Sequence, residues 1–129
     1  MTIRPFPTVL LLVAVLSAPL SACLGDDRPD RVQSSPIGAD EEATYEYEVP
    51  FGTGNRLDSG ATIEIMPQNL DVRVGESIRI VNNDTRDYMI GPFFVMAGQT
   101  LAMRFTNKGV LRGVCEVNSS GEFTITVSD

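Results

Sequence analysis

The stretch Leu70-Asp-Val-Arg-Val-Gly-Glu-Ser-Ile-Arg-Ile-Val-Asn-Asn-Asp84 decides the fold class. Leu70, Val72 and Val74 fall on one side of it and Asp71 and Arg73 on the other. That period of two fits a half-buried strand and does not fit a helix. Gly75-Glu76 turns the chain, and the alternation resumes with Ile78 and Ile80 set against Ser77 and Arg79. Asn82-Asn83-Asp84-Thr85 then closes the segment with side-chain oxygens that can bond the local backbone, which is turn chemistry.

The same pattern extends in both directions. Upstream, Tyr45, Tyr47 and Val49 alternate with Glu46 and Glu48, and Ile63 and Ile65 flank Glu64 before Pro67-Gln68-Asn69 breaks the strand. Phe51 to Asn55 and Asp58-Ser-Gly60 read as loops. Downstream, Leu101, Met103 and Phe105 alternate up to the turn Asn107-Lys108-Gly109, and Phe123, Ile125 and Val127 make a last strand. No segment beyond the leader shows a useful run of period 3.6. Short strands about every 8–12 residues with turn signals between them predict an all-β sandwich or barrel.

The N-terminal end is an address. Arg4 lies in a short polar start, Val9 to Leu16 is an unbroken apolar run, and small residues lead to Cys23. This is the layout of a secretory signal over residues 1–22. The apolar run is too short for a bilayer span, which needs roughly 20 residues. Leu20-Ser-Ala-Cys23 resembles the lipobox of bacterial lipoproteins, which implies lipidation at Cys23; an ordinary cleaved signal with a chance cysteine is the other reading. Acyl chains at Cys23 would anchor the mature chain to a membrane. The protein is then expected to be exported and held at the cell membrane or envelope, facing outside the cytoplasm.

Of 129 residues, removal of 22 leaves 107, enough for one domain. Residues 23–43 are rich in Asp, Ser, Pro and Glu without apolar period, and read as a flexible tether. About 20 residues of coil reach on the order of 25 Å. The domain is expected over 44–129. With 17 acidic against 10 basic residues the net charge is −7. That balance argues against nucleic acid, whose phosphates demand Lys and Arg. The expected partners are the membrane, through lipid, and an envelope protein.

Between Pro67 and Val127 the order of features resembles bacterial cupredoxins, copper proteins with a Greek-key β-sandwich. The residues that carry the resemblance are Val72 to Asp84, Gly91-Pro-Phe-Phe-Val-Met-Ala-Gly98, Met103 to Gly109 and Gly113-Val-Cys115. A cupredoxin-like fold is what the resemblance implies, with Cys115 at the copper-thiolate position. A blue-copper centre needs two imidazoles beside that thiolate. By register those positions are Tyr88 and Asn118, and the chain contains no histidine. No methionine follows Asn118 at the usual axial place; Ser119-Ser120-Gly121 stands there instead. The copper site is therefore read as degenerate.

The remaining chemistry is sparse. Without histidine there is no Ser-His-Asp or Cys-His pair, and with Cys23 lipidated Cys115 has no disulfide partner. Gly52-x-Gly54 has neither the third glycine nor the following helix of a dinucleotide fingerprint, and a loop is the better reading. The expectation is a non-enzymatic, membrane-tethered lipoprotein acting as a binding or structural module, with no cofactor. Tyr88 would fill the vacated pocket and hydrogen-bond to Asn118. Copper stays open as an alternative cofactor: handling or electron transfer through Cys115 with Met89 or other irregular ligands, since Cu(I) favours soft sulfur. A buried, inert Cys115 and core-filling methionines are the competing reading.

Overall fold

A computed structural model of the chain describes residues 34–129; the signal segment and the Cys23 lipidation position lie outside the described residues. The all-β sandwich expected from the alternation is the architecture observed. One sheet holds four strands in the order β1 (Ser34–Pro36), β7 (Thr100–Phe105), β4 (Ser77–Asn82) and β2 (Tyr45–Val49). The other holds β3 (Asn69–Arg73), β9 (Glu122–Ser128) and β8 (Gly109–Val114). β5 (Tyr88–Ile90) and β6 (Phe93–Val95) form a separate hairpin, bridged to the chain after β8 by the pair Ile90–Cys115.

Both sheets are mixed: β2 runs parallel to β4 and β3 parallel to β9, while the other ladders are antiparallel. The deciding stretch therefore does not make a hairpin. Gly75, at φ +93°, passes the chain from β3 in one sheet to β4 in the other. A left-handed backbone there suits glycine, which has no Cβ to clash. The inward residues then meet between the sheets: Ile78, Ile80 and Phe105 from one side, Val72, Phe123 and Ile125 from the other, all buried. Each such side chain contributes about 1.5–3 kcal/mol of transfer free energy, which is what makes the alternation so readable.

Three expectations are corrected. Part of the tether belongs to the domain, because Ser34–Pro36 pairs with Met103 to Phe105 along the edge of β7. The segment after it is held by Arg79, whose Nη2 donates to the carbonyls of Gly38 at 3.1 Å and Glu41 at 2.5 Å, and by an ion pair between Arg104 and Glu41. Backbone pairing and arginine clamps leave no apolar period, so hydropathy does not mark this strand. The Phe51–Gly60 loop contains a helix of six residues, α1 (Thr53–Asp58). Ile63 and Ile65 join no ladder; Ile63 is buried, and the Ile65 N–H donates to the Val117 carbonyl at 2.9 Å.

Candidate functional site

The region around Cys115 is assembled where β5 meets the chain leaving β8. Ile90 and Cys115 form an isolated antiparallel pair, and Gly91 N–H donates to Val114 O at 2.7 Å while Glu116 N–H donates to Met89 O at 3.0 Å. Gly113 makes the crossing feasible, since a Cβ there would lie 2.2 Å from the Gly91 carbonyl oxygen. Residues paired across a sheet share a face, and neighbours along a strand point to opposite faces. Tyr88, Ile90, Cys115 and Val117 thus form one inward surface, and all four are buried.

Tyr88 is 3 % exposed and its Oη donates to Asp84 Oδ2 at 2.5 Å. Asp84, itself 5 % exposed, also accepts from the backbone N–H of Gly52 at 3.0 Å and Gly54 at 2.8 Å. One carboxylate therefore ties β5 to the start of α1. Asn82 fixes the turn beneath it: its Nδ2 donates to Arg86 O and Val95 O, and its Oδ1 accepts from Asp84 N–H. Burial alone would raise the Asp84 pKa, but the Tyr88 hydroxyl and the N–H groups of Gly54, Thr85 and Gly52 outweigh it and hold the carboxyl down at about 2. Burial and the same carboxylate push the Tyr88 phenol well above its ordinary value.

Asn118 has other business. Its Nδ2 donates to Glu122 O at 2.9 Å, and its Oδ1 accepts from Gly121 N–H at 2.9 Å and Ser120 Oγ at 3.0 Å. The amide closes its own turn, and the hydrogen bond expected from Tyr88 goes to Asp84 instead. Cys115 is 1 % exposed, and burial raises its thiol pKa against the opposing pull of the Val117 and Asn118 N–H groups. Met89 leaves the backbone on the opposite face from Cys115, because Cys115 pairs with Met89's buried neighbour Ile90. The Cys115–Met89 metal pair expected from sequence is not brought together.

These donors do not fit a blue-copper centre. It needs two imidazoles and an ionised thiol, whereas the three positions present a protonated phenol bound to Asp84, an amide spent on its own loop and a protonated thiol. Among the described residues no three of His, Cys, Asp and Glu converge on one point. Two surface recesses, about 340 and 370 Å³, lie elsewhere: one beside Phe94, Met96 and Leu101, the other beside Ile37, Arg79 and Val81.

Asp84 is the residue the sequence reading missed. Its place in a turn cluster was plain, but what its carboxylate binds comes from Gly52 and Gly54, thirty or more residues upstream.

No family model matches the chain, and no curated protein matches it. Among solved structures it is similar to amicyanin from Paracoccus versutus, with 11 % identity over 76 % of this chain and 100 % of that one, at a TM-score of 0.47. A purple cupredoxin from Nitrosopumilus maritimus gives 22 % identity over 67 % of this chain and 100 % of that one, at a TM-score of 0.44. These values describe a common outline and carry no activity across.

Proposed function

We propose that this chain is an exported lipoprotein, anchored through Cys23, whose β-sandwich has given up type 1 copper and serves as a binding module for another envelope component. The observation that carries the reading is the internal use of all three donor positions. Tyr88 is spent on Asp84, Asn118 on its own turn, and Cys115 is sealed as a thiol. We take the role to be non-enzymatic; the carboxylate bonded to Tyr88, Asp84, is held ionised at about 2 and accepts hydrogen bonds from three sides. A base of that strength is far from the range where proton abstraction at neutral pH is efficient.

The experiment is the metal content of the protein as isolated from its membrane, followed by Cu(II) titration. No intense visible sulfur-to-copper absorption is expected. Stoichiometric copper with a strong blue or purple colour would overturn the reading. Partition of the chain into detergent, lost on Cys23→Ser, tests the anchor separately.

A further inference from the structure

The outward face of the β5–β6 hairpin carries exposed thioethers. Met89, Phe94 and Met96 are 39, 55 and 53 % exposed, and the residues between them, Ile90 and Val95, are buried. Met89 lies directly opposite Phe94. Continuing that register sets Met96 opposite Asp87, and the bond from Ala97 N–H to Asp87 Oδ1 at 2.8 Å holds the two strands together at this point. Asp87, Met89, Phe94 and Met96 therefore share one face.

Met89 and Met96 are diagonal neighbours across the ribbon. Diagonal positions are about 7–8 Å apart at the backbone, within reach of long side chains. Two flexible thioethers can thus close on a single ion. Methionine normally earns its place by filling gaps in a core, as the buried Met66 does; these two do not. Carboxylates flank them. Asp87 uses Oδ1 on the Ala97 N–H, and Glu116, opposite Met89 in the crossing from β8, accepts from Met89 N–H at 2.6 Å. Arg86, next to Asp87 in sequence, is paired with Asp58 on the side of α1.

We propose that this face binds copper(I) between the sulfurs of Met89 and Met96, with Asp87 and Glu116 supplying compensating charge. Thioethers are soft donors and select a soft monovalent ion over Zn(II), Mg(II) or Ca(II). The site is on the opposite side of the sheet from Cys115, so it stands whether or not the binding-module reading holds.

The test uses the full chain in detergent with both cysteines replaced, Cys23→Ser and Cys115→Ser, so that no thiol competes. Cu(I) is titrated against a competing chelator without oxygen, with Ag(I) as a redox-silent second probe, and methionine methyl groups are followed by NMR. One equivalent is expected to bind, shifting the Met89 and Met96 methyls and leaving Met66 and Met103 in place. Met89→Leu and Met96→Leu should each weaken binding at least tenfold, and Asp87→Asn a few-fold. If Cys115→Ser does not fold, the chain retaining Cys115 is compared with its M89L/M96L form, which changes only exposed side chains. No uptake by the thiol-free chain, equal affinity in M89L/M96L, or shifts confined to other methionines overturns the site.

Discussion

Tyr88 Oη and Asp84 Oδ2 are joined by a 2.5 Å hydrogen bond inside the domain, and this bond occupies the phenol of the residue that the cupredoxin resemblance sets at the first imidazole position. Its donor keeps its proton because the carboxylate beside it keeps its charge. The pair is a buried piece of the core. It also couples β5 to α1, since the same carboxylate accepts from Gly52 and Gly54.

Removing either partner should therefore cost stability unequally. Tyr88→Phe leaves Asp84 with its backbone donors and should lose about 2 kcal/mol, the usual worth of a hydrogen bond to a charged group. Asp84→Ala strands the phenol and two N–H groups at once and should lose more, about 3–4 kcal/mol. The double variant should fall short of the sum, because the two changes remove the same bond. Urea unfolding of the four proteins checks this; additive losses would show that the two residues do not interact.

The acid limb of stability should report Asp84. Its folded pKa of about 2 lies below the ordinary 3.8, so the unfolded chain takes up the proton first as pH falls. The stabilisation is then complete above about pH 4 and drains away as pH drops through 2. Asp84→Asn should flatten the unfolding midpoint across that window while leaving a lower plateau at neutral pH. Tyr88 acts in the opposite sense at the alkaline end. Its raised pKa gives a contribution that is intact below pH 10 and lost as pH climbs past it. In an absorbance titration its ionisation should coincide with unfolding.

Most of the sandwich was legible because burial between two sheets writes itself as period two. Ile78, Ile80, Phe105, Phe123 and Ile125 were all placed inward, and all are buried. What escaped is held by other forces. The β1 strand is a backbone pairing of Ser-Ser-Pro, which no hydropathy pattern marks. Helix α1 begins where a distant carboxylate satisfies its first N–H groups, so its cause is not in its own six residues. The sheet switch at Gly75 looks in sequence like any hairpin turn. At the site, Tyr88 and Cys115 lie on one surface, whereas the Asn118 amide accepts from the Gly121 N–H three residues on, a local bond that competes with any long-range partner.

Cys115 should behave as an interior residue. Burial raises its thiol pKa and leaves it 1 % exposed, so little thiolate is present and less is reachable. In a full chain carrying Cys23→Ser, reaction with an aromatic disulfide at pH 8 should be at least about a hundredfold slower than in denaturant. The native rate should follow global unfolding, rising with urea in step with the unfolding equilibrium. Fast, urea-independent labelling would mean that the β5–β8 junction opens on its own.

That junction is also where one methyl group should do the most harm. Gly113 carries no positive φ, so backbone preference does not demand glycine there; space does, with the Gly91 carbonyl oxygen 2.2 Å from where a Cβ would sit. The obstacle is backbone on both sides, and it cannot rotate away as a side chain would. Gly113→Ala should push β5 off the end of β8, break the Gly91–Val114 bond and cost about 3 kcal/mol or more. Gly121→Ala separates the two causes. Gly121 has φ +71° and nothing within 4 Å of its missing Cβ, so it should lose only the left-handed penalty, about 1–2 kcal/mol. Gly38→Ala, with neither constraint, should be neutral. The expected order of unfolding midpoints is Gly38→Ala, then Gly121→Ala, then Gly113→Ala. A Gly113→Ala protein as stable as Gly38→Ala would mean that β5 and β8 are not in contact, and with them the shared surface of Tyr88 and Cys115 would be lost.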